Sequence, residues 1–112
     1  QIVYGDGYDH NFILNKLVQD SLSYAATVFE PTKGVKMEIF TTEPGIQFYS
    51  GNFMDGSDVG KYGKSFLYRE SFALETQHYP DSPNNQSFPN VYLFPFETYN
   101  SLSVYKFSVN GK

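Results

Sequence analysis

Residues 24–40 read YAATVFEPTKGVKMEIF, two apolar-rich runs on either side of Pro31-Thr-Lys-Gly34. In the second run Val35, Met37 and Ile39 alternate with Lys36, Glu38 and Phe40, the period of two that a strand with one buried face requires. Pro and Gly bracketing two polar residues supply turn chemistry, so the stretch predicts a β-hairpin.

The same grammar extends outward. Pro44-Gly45 breaks the chain before Ile46-Gln47-Phe48-Tyr49, whose alternation sets Ile46 and Phe48 on one face and Gln47 and Tyr49 on the other. Residues 52–64, NFMDGSDVGKYGK, are glycine-rich and polar and predict a surface loop. A strand is expected from Ser71 to Gln77, followed by an irregular segment around Pro80, Pro83 and Pro89 that cannot belong to a central strand. Val91-Tyr-Leu-Phe94 and Ser103–Val109 predict two more strands. Ile13, Leu14, Leu17, Val18 and Leu22 carry helical spacing, which an apolar-studded loop would carry equally well. Short strands punctuated by Gly and Pro indicate an all-β fold, a sandwich or barrel or part of one, in a single domain.

Composition narrows the function. Eleven Phe and ten Tyr with no Trp and no Cys leave ring packing, not disulfides, to hold the 112 residues together. Eight basic against twelve acidic residues give a net charge of −4, with no basic cluster to follow a phosphate backbone, so nucleic acid is not an expected partner. Two histidines and no cysteine make a poor zinc cage, and no cofactor is expected. No apolar run approaches the ~20 residues that span a bilayer, so no membrane partner is expected either. The cytoplasm is the default location. Gln1 opens the chain without Met, which fits a piece of a longer protein or a processed one.

Several motifs are weighed against plainer readings. Gly5-Asp-Gly7-Tyr-Asp-His10 begins like a dinucleotide loop but has His10 in place of the third glycine. Asp55-Gly-Ser-Asp58 lacks the alternating acids of a calcium loop and reads as a turn. Asn85-Gln-Ser87 is a glycosylation triplet of the kind that chance produces. His10 and His78 each lie beside an acid or amide, and a hydrogen-bonded structural role is the commoner outcome for such residues. Asp9 and Glu75 form the pair of interest, since two carboxylates near strand ends can bracket a hydroxylated substrate. The plain alternative is that either caps a turn or pairs with Arg69 or a lysine.

Gly7-Tyr-Asp-His-Asn-Phe12, Thr41-Thr-Glu-Pro-Gly-Ile-Gln-Phe-Tyr49, Gly51-Asn-Phe-Met-Asp-Gly56 and the stretch from Leu74 to Asn84, LETQHYPDSPN, occur in that order. Together they closely resemble the C-terminal part of the aldose 1-epimerases, the galactose mutarotases. The wording is nearest to fungal members, including the mutarotase half of the bifunctional yeast UDP-galactose 4-epimerase/mutarotase. The resemblance implies the C-terminal portion of a large antiparallel β-sandwich, with residues 1–112 forming a partial domain whose N-terminal part lies elsewhere. It implies interconversion of the α and β anomers of hexoses such as galactose and glucose through the open-chain aldehyde. By motif Glu75 matches the general base, Asp9 a sugar-hydroxyl ligand and Gln47 a further substrate-contacting residue. Following three apolar residues, Glu75 is expected to be partly desolvated and so more basic.

Two departures stand out. Pro95-Phe-Glu-Thr-Tyr99 has Phe96 where the family has glycine in a Pro-Gly-Glu turn. The family's general-acid histidine has no counterpart here, since neither His10 nor His78 matches its position. The isolated segment is therefore expected to be weak or inactive alone. A non-catalytic carbohydrate-binding module and a truncated, inactive remnant are the alternatives, and a missing N-terminal half or a fused epimerase domain are the expected partners beside the sugar.

Overall fold

A computed structural model describes residues 2–109. Six strands make it all-β: β1 (Asp9–Ile13), β2 (Ser23–Glu30), β3 (Val35–Thr41), β4 (Gly45–Tyr49), β5 (Ala73–Gln77) and β6 (Ser103–Val109). They form two three-stranded sheets, ordered β1-β4-β5 and β2-β3-β6. Among the described residues the only helical turns are short 3-10 segments at Lys61–Gly63 and Ser82–Asn84. This is the composition of a partial β-sandwich. The chain divides into two compact units, one made of the residues through Phe12 with Gln47–Glu75, the other of Ile13–Ile46 with the residues from Thr76 on.

The β2–β3 hairpin forms where the alternation places it, antiparallel from Ser23↔Thr41 to Glu30↔Val35 with a bulge at Tyr24/Ala26. Its turn is closed by Gly34, whose N–H donates to the Glu30 carbonyl at 3.0 Å from a left-handed φ of 73° that favours glycine. The Glu30 carboxylate accepts the Thr32 and Lys33 N–H groups, both at 2.7 Å. On the other side β3 pairs antiparallel with β6, so that Glu38 lies opposite Lys106 and takes ion pairs from Lys36 at 2.9 Å and Lys106 at 3.6 Å. Ile39 is fully buried and Thr41 with it, as expected for the residues that alternate away from those charges.

One expectation fails, and of two open readings the loop is the one that forms. Val91–Phe94 is not a strand, and its four side chains are 38–63% exposed. The run is apolar, but Pro89 and Pro95 bracket it and no strand among the described residues pairs with it. The helical spacing of residues 13–22 forms no helix. Leu17 is wholly exposed and Val18 64% exposed, so the periodic apolar side chains have no face to bury and the segment is a loop between β1 and β2. Ile39 and Ile46 are the buried apolar side chains among the described residues, while thirty large hydrophobic residues remain exposed, from Ile2 to Val109.

Candidate active site

The three strands of the first sheet each carry one of the residues singled out from sequence: Asp9 at the start of β1, Gln47 in β4 and Glu75 in β5. The unit built on the N-terminal residues and 47–75 holds all three. Gln47 donates from Nε2 to Asp9 Oδ1 at 2.8 Å. Its Oε1 is buried and has no hydrogen-bond partner among the described residues. Glu75 itself is exposed, so the desolvation anticipated from Phe72, Ala73 and Leu74 is not present. In β5 Glu75 is the exposed residue, while Ala73, Leu74, Thr76 and Gln77 around it are half-buried.

Rigid packing fixes the loops around this group. Tyr8 is held by Ser50, which accepts its N–H at 3.0 Å, and by Asn52, which donates to its carbonyl at 2.8 Å. Gly7 is buried at a φ of 131°, and a Cβ there would sit 2.1 Å from Asn52 Oδ1, so the residue two before Asp9 must be glycine. The Tyr8 ring packs on Phe48 with centroids 5.1 Å apart, and Phe48 meets Phe72 edge-on at 6.3 Å. Tyr49 stacks on Phe53 at 6.2 Å, while its hydroxyl accepts the Phe53 N–H at 2.9 Å. His10 is turned back on the chain, its Nδ1 accepting the Asp9 N–H at 3.0 Å. Asp55 is likewise occupied locally by Ser57, as expected of a turn.

The other unit contains a cluster that sequence reading does not assemble. Glu43, in the β3–β4 turn, is only 4% exposed. Its Oε2 lies 2.7 Å from His78 Nδ1, and its Oε1 accepts a short hydrogen bond from the Tyr99 hydroxyl. Burial pushes the carboxyl up, but hydrogen bonds from Ser101 and Tyr99 and the charge of His78 outweigh it and hold the group below its ordinary value. The bond to Glu43, with burial, raises the Tyr99 phenol in turn. Lys16 donates to the carbonyls of Thr41 and Glu43, each at 3.0 Å, and burial lowers its ammonium against the pull of Asp20 and Glu43. Glu43, His78 and Tyr99 line one wall of an open cavity of about 760 Å³, with Asn90, Thr98 and Asn100 among its other polar walls. The Thr41-Thr-Glu43 motif is visible in the sequence as part of the resemblance; its partners lie too far along the chain for spacing to reveal them.

Pro95 and Phe96 form the corner of a turn. The Glu97 N–H donates to the Phe94 carbonyl at 3.1 Å, and Phe96 takes a φ of 73°. Pro followed by a residue in the left-handed region is the arrangement of a type II turn, in which glycine would ordinarily stand.

An all-β fold with a carboxylate, a carboxylate-bound amide and a second, exposed carboxylate on adjacent strands defines a candidate sugar-handling site. A profile of the aldose 1-epimerase family matches residues 2–106, and the chain belongs to that family. It is 43% identical over 103 residues to the galactose mutarotase of Rattus norvegicus, covering 92% of this chain and 30% of the rat protein. It is 42% identical over 104 residues to the human galactose mutarotase, covering 93% and 30%. To the aldose 1-epimerase of Escherichia coli it is 37% identical over 103 residues, covering 90% and 29%. The chain thus spans about 30% of the length of the relatives it matches.

Proposed function

We propose that this chain is the base-bearing part of an aldose 1-epimerase that interconverts the α and β anomers of hexoses such as galactose and glucose. Glu75 is the general base. It takes the proton from the anomeric hydroxyl, the ring C1–O5 bond opens as a proton reaches the ring oxygen, and the aldehyde turns about C1–C2 before closing on its other face with the proton traffic reversed. Asp9 accepts from a sugar hydroxyl, and Gln47, a further substrate-contacting residue, donates to Asp9 and keeps its carboxylate in register. The general acid comes from protein outside these residues, because His10 is folded back on Asp9 and His78 is engaged by Glu43. Hexose, the rest of a mutarotase domain and, in a fused protein, an epimerase domain are the partners this reading implies, in the cytoplasm. No helix among the described residues is long and apolar enough to cross a membrane.

The reading rests on the Asp9–Gln47 pair, held on strands of the sheet that bears Glu75. Polarimetry of freshly dissolved α-D-galactose tests it. The full-length protein containing this segment is expected to accelerate the approach to equilibrium, and the 112-residue chain alone to do so weakly or not at all. No acceleration by the full-length protein would overturn it. A second reading, sugar binding without catalysis by the isolated segment, is favoured by the same intact Asp9–Gln47 pair beside a base that lacks its acid.

A further inference from the structure

Glu75 is exposed on β5, but the strand that carries it is fastened from behind. Side chains alternate along a strand, so Thr76 faces away from Glu75. Thr76 Oγ1 lies 2.6 Å from Ser103 Oγ, and Ser103 Oγ lies 3.0 Å from Thr41 Oγ1. Thr41 Oγ1 accepts the Glu43 N–H at 3.0 Å. Two residues on from Thr76, His78 closes the circuit through its 2.7 Å contact with the Glu43 carboxylate, which Tyr99 and Ser101 also engage. The network is part-buried to buried throughout, and Glu43 has almost no access to water.

We propose that Glu43, His78 and Thr76 are positioning residues, which fix the end of β5 against the β3–β4 turn and so set where Glu75 presents its carboxylate. A base on a solvent-facing side chain has no apolar pocket to orient it. Its geometry must come from the backbone beneath, and misplacement by about 1 Å costs on the order of a hundredfold in rate. Glu43 immediately precedes Pro44 and β4, so the same carboxylate also steadies the start of the strand that carries Gln47. The charged and titratable groups around the pair are Lys16, Asp20 and Tyr99. None of these takes the place of His78 against Glu43 Oε2, since Lys16 donates to the main-chain carbonyls.

This rests on Glu75 being the base, and the test separates the two ideas. In the full-length protein, kcat and KM for α-D-galactose exchange would be measured well below the melting temperature for wild type, E75Q, H78N, E43Q/H78N and T76V. Asn in place of His78 keeps a donor near the Nδ1 position, but it lacks the imidazole ring that lies between Glu43 and Tyr99. H78N is expected to lose roughly ten- to hundredfold in kcat with KM changed less than about threefold, as for other residues that orient a reacting group. E43Q/H78N, which restores a neutral hydrogen-bonded pair, is expected to recover to within about threefold of wild type. T76V, which removes one hydroxyl from the network, is expected to lose several-fold in kcat and serves in place of H78N if that variant does not fold. Unchanged kcat in folded H78N or T76V would overturn the proposal, as would a double variant no better than the single. Wild-type activity in E75Q would instead overturn the assignment of the base, whatever the other variants did.

Discussion

Two glutamates, Glu75 and Glu43, occupy opposite environments. Glu75 follows an apolar run and stands in the open; Glu43 sits in a polar Thr-Thr-Glu-Pro turn and is buried to 4% exposure among His78, Tyr99 and Ser101. Burial of a charged group demands partners, and the residue that has them is fixed in place. A base that must meet a substrate has to remain reachable. On the proposed reading, the buried carboxylate is the scaffold and the accessible one the reagent.

The largest effect of disturbing this division is expected at Glu75. Gln there keeps the shape and loses the base, so anomer exchange by the full-length protein is expected to fall by roughly a hundredfold to ten-thousandfold in kcat, while urea unfolding midpoints stay close to wild type. Glu43→Ala should do the reverse in kind. It leaves His78 and Tyr99 without their acceptor, and a loss of about 3 kcal/mol in unfolding free energy is expected from denaturant titration. Asp9→Asn should weaken galactose binding by about tenfold in a calorimetric titration and disturb the fold little, because the amide oxygen still accepts from Gln47. Unchanged affinity would remove Asp9 from the site.

Acid separates the two glutamates further. Hydrogen bonds and His78 hold the Glu43 carboxyl below its ordinary value, so its contribution to stability is fully present above the unfolded-state value of about 4.3 and is lost as pH falls through the lower folded-state value. The stability gap between wild type and E43Q should therefore narrow as pH is taken from 6 towards 3. A gap that widened would contradict stabilisation of the ionised carboxyl by these partners. The smallest effect belongs to Phe96, fully exposed at a left-handed φ of 73°. Replacing it with Gly relieves strain of about 1–2 kcal/mol against a chain-entropy cost of about 0.5–1 kcal/mol, so F96G should be neutral to slightly stabilising by thermal melt.

What the sequence discloses follows the range of the forces involved. Alternation at Val35–Phe40 and Ile46–Tyr49 is legible because strand pleat repeats every two residues, and both segments are strands. Val91–Phe94 misleads because an apolar run specifies burial, not a partner, while at Leu17 and Val18 helix and loop read alike in the sequence and the loop forms because there is no face to bury. Asp9, Gln47 and Glu75 come from motif resemblance, and the structure adds the bond between the first two. Glu43 escapes a reading of the sequence because its partners arrive from distant segments, Tyr99 from 56 positions away, and no local pattern encodes that meeting. The same distance explains why apolar neighbours in sequence point to Glu75 as the desolvated glutamate when it is Glu43.

Polarimetry of freshly dissolved α-D-galactose with full-length wild type, E43Q and E75Q at equal concentration decides between the two roles. Wild type should be fastest, E43Q slowed but catalytic, and E75Q near the rate without protein. E75Q turning over like wild type, or E43Q falling below E75Q, would contradict the division between an accessible base and a buried scaffold.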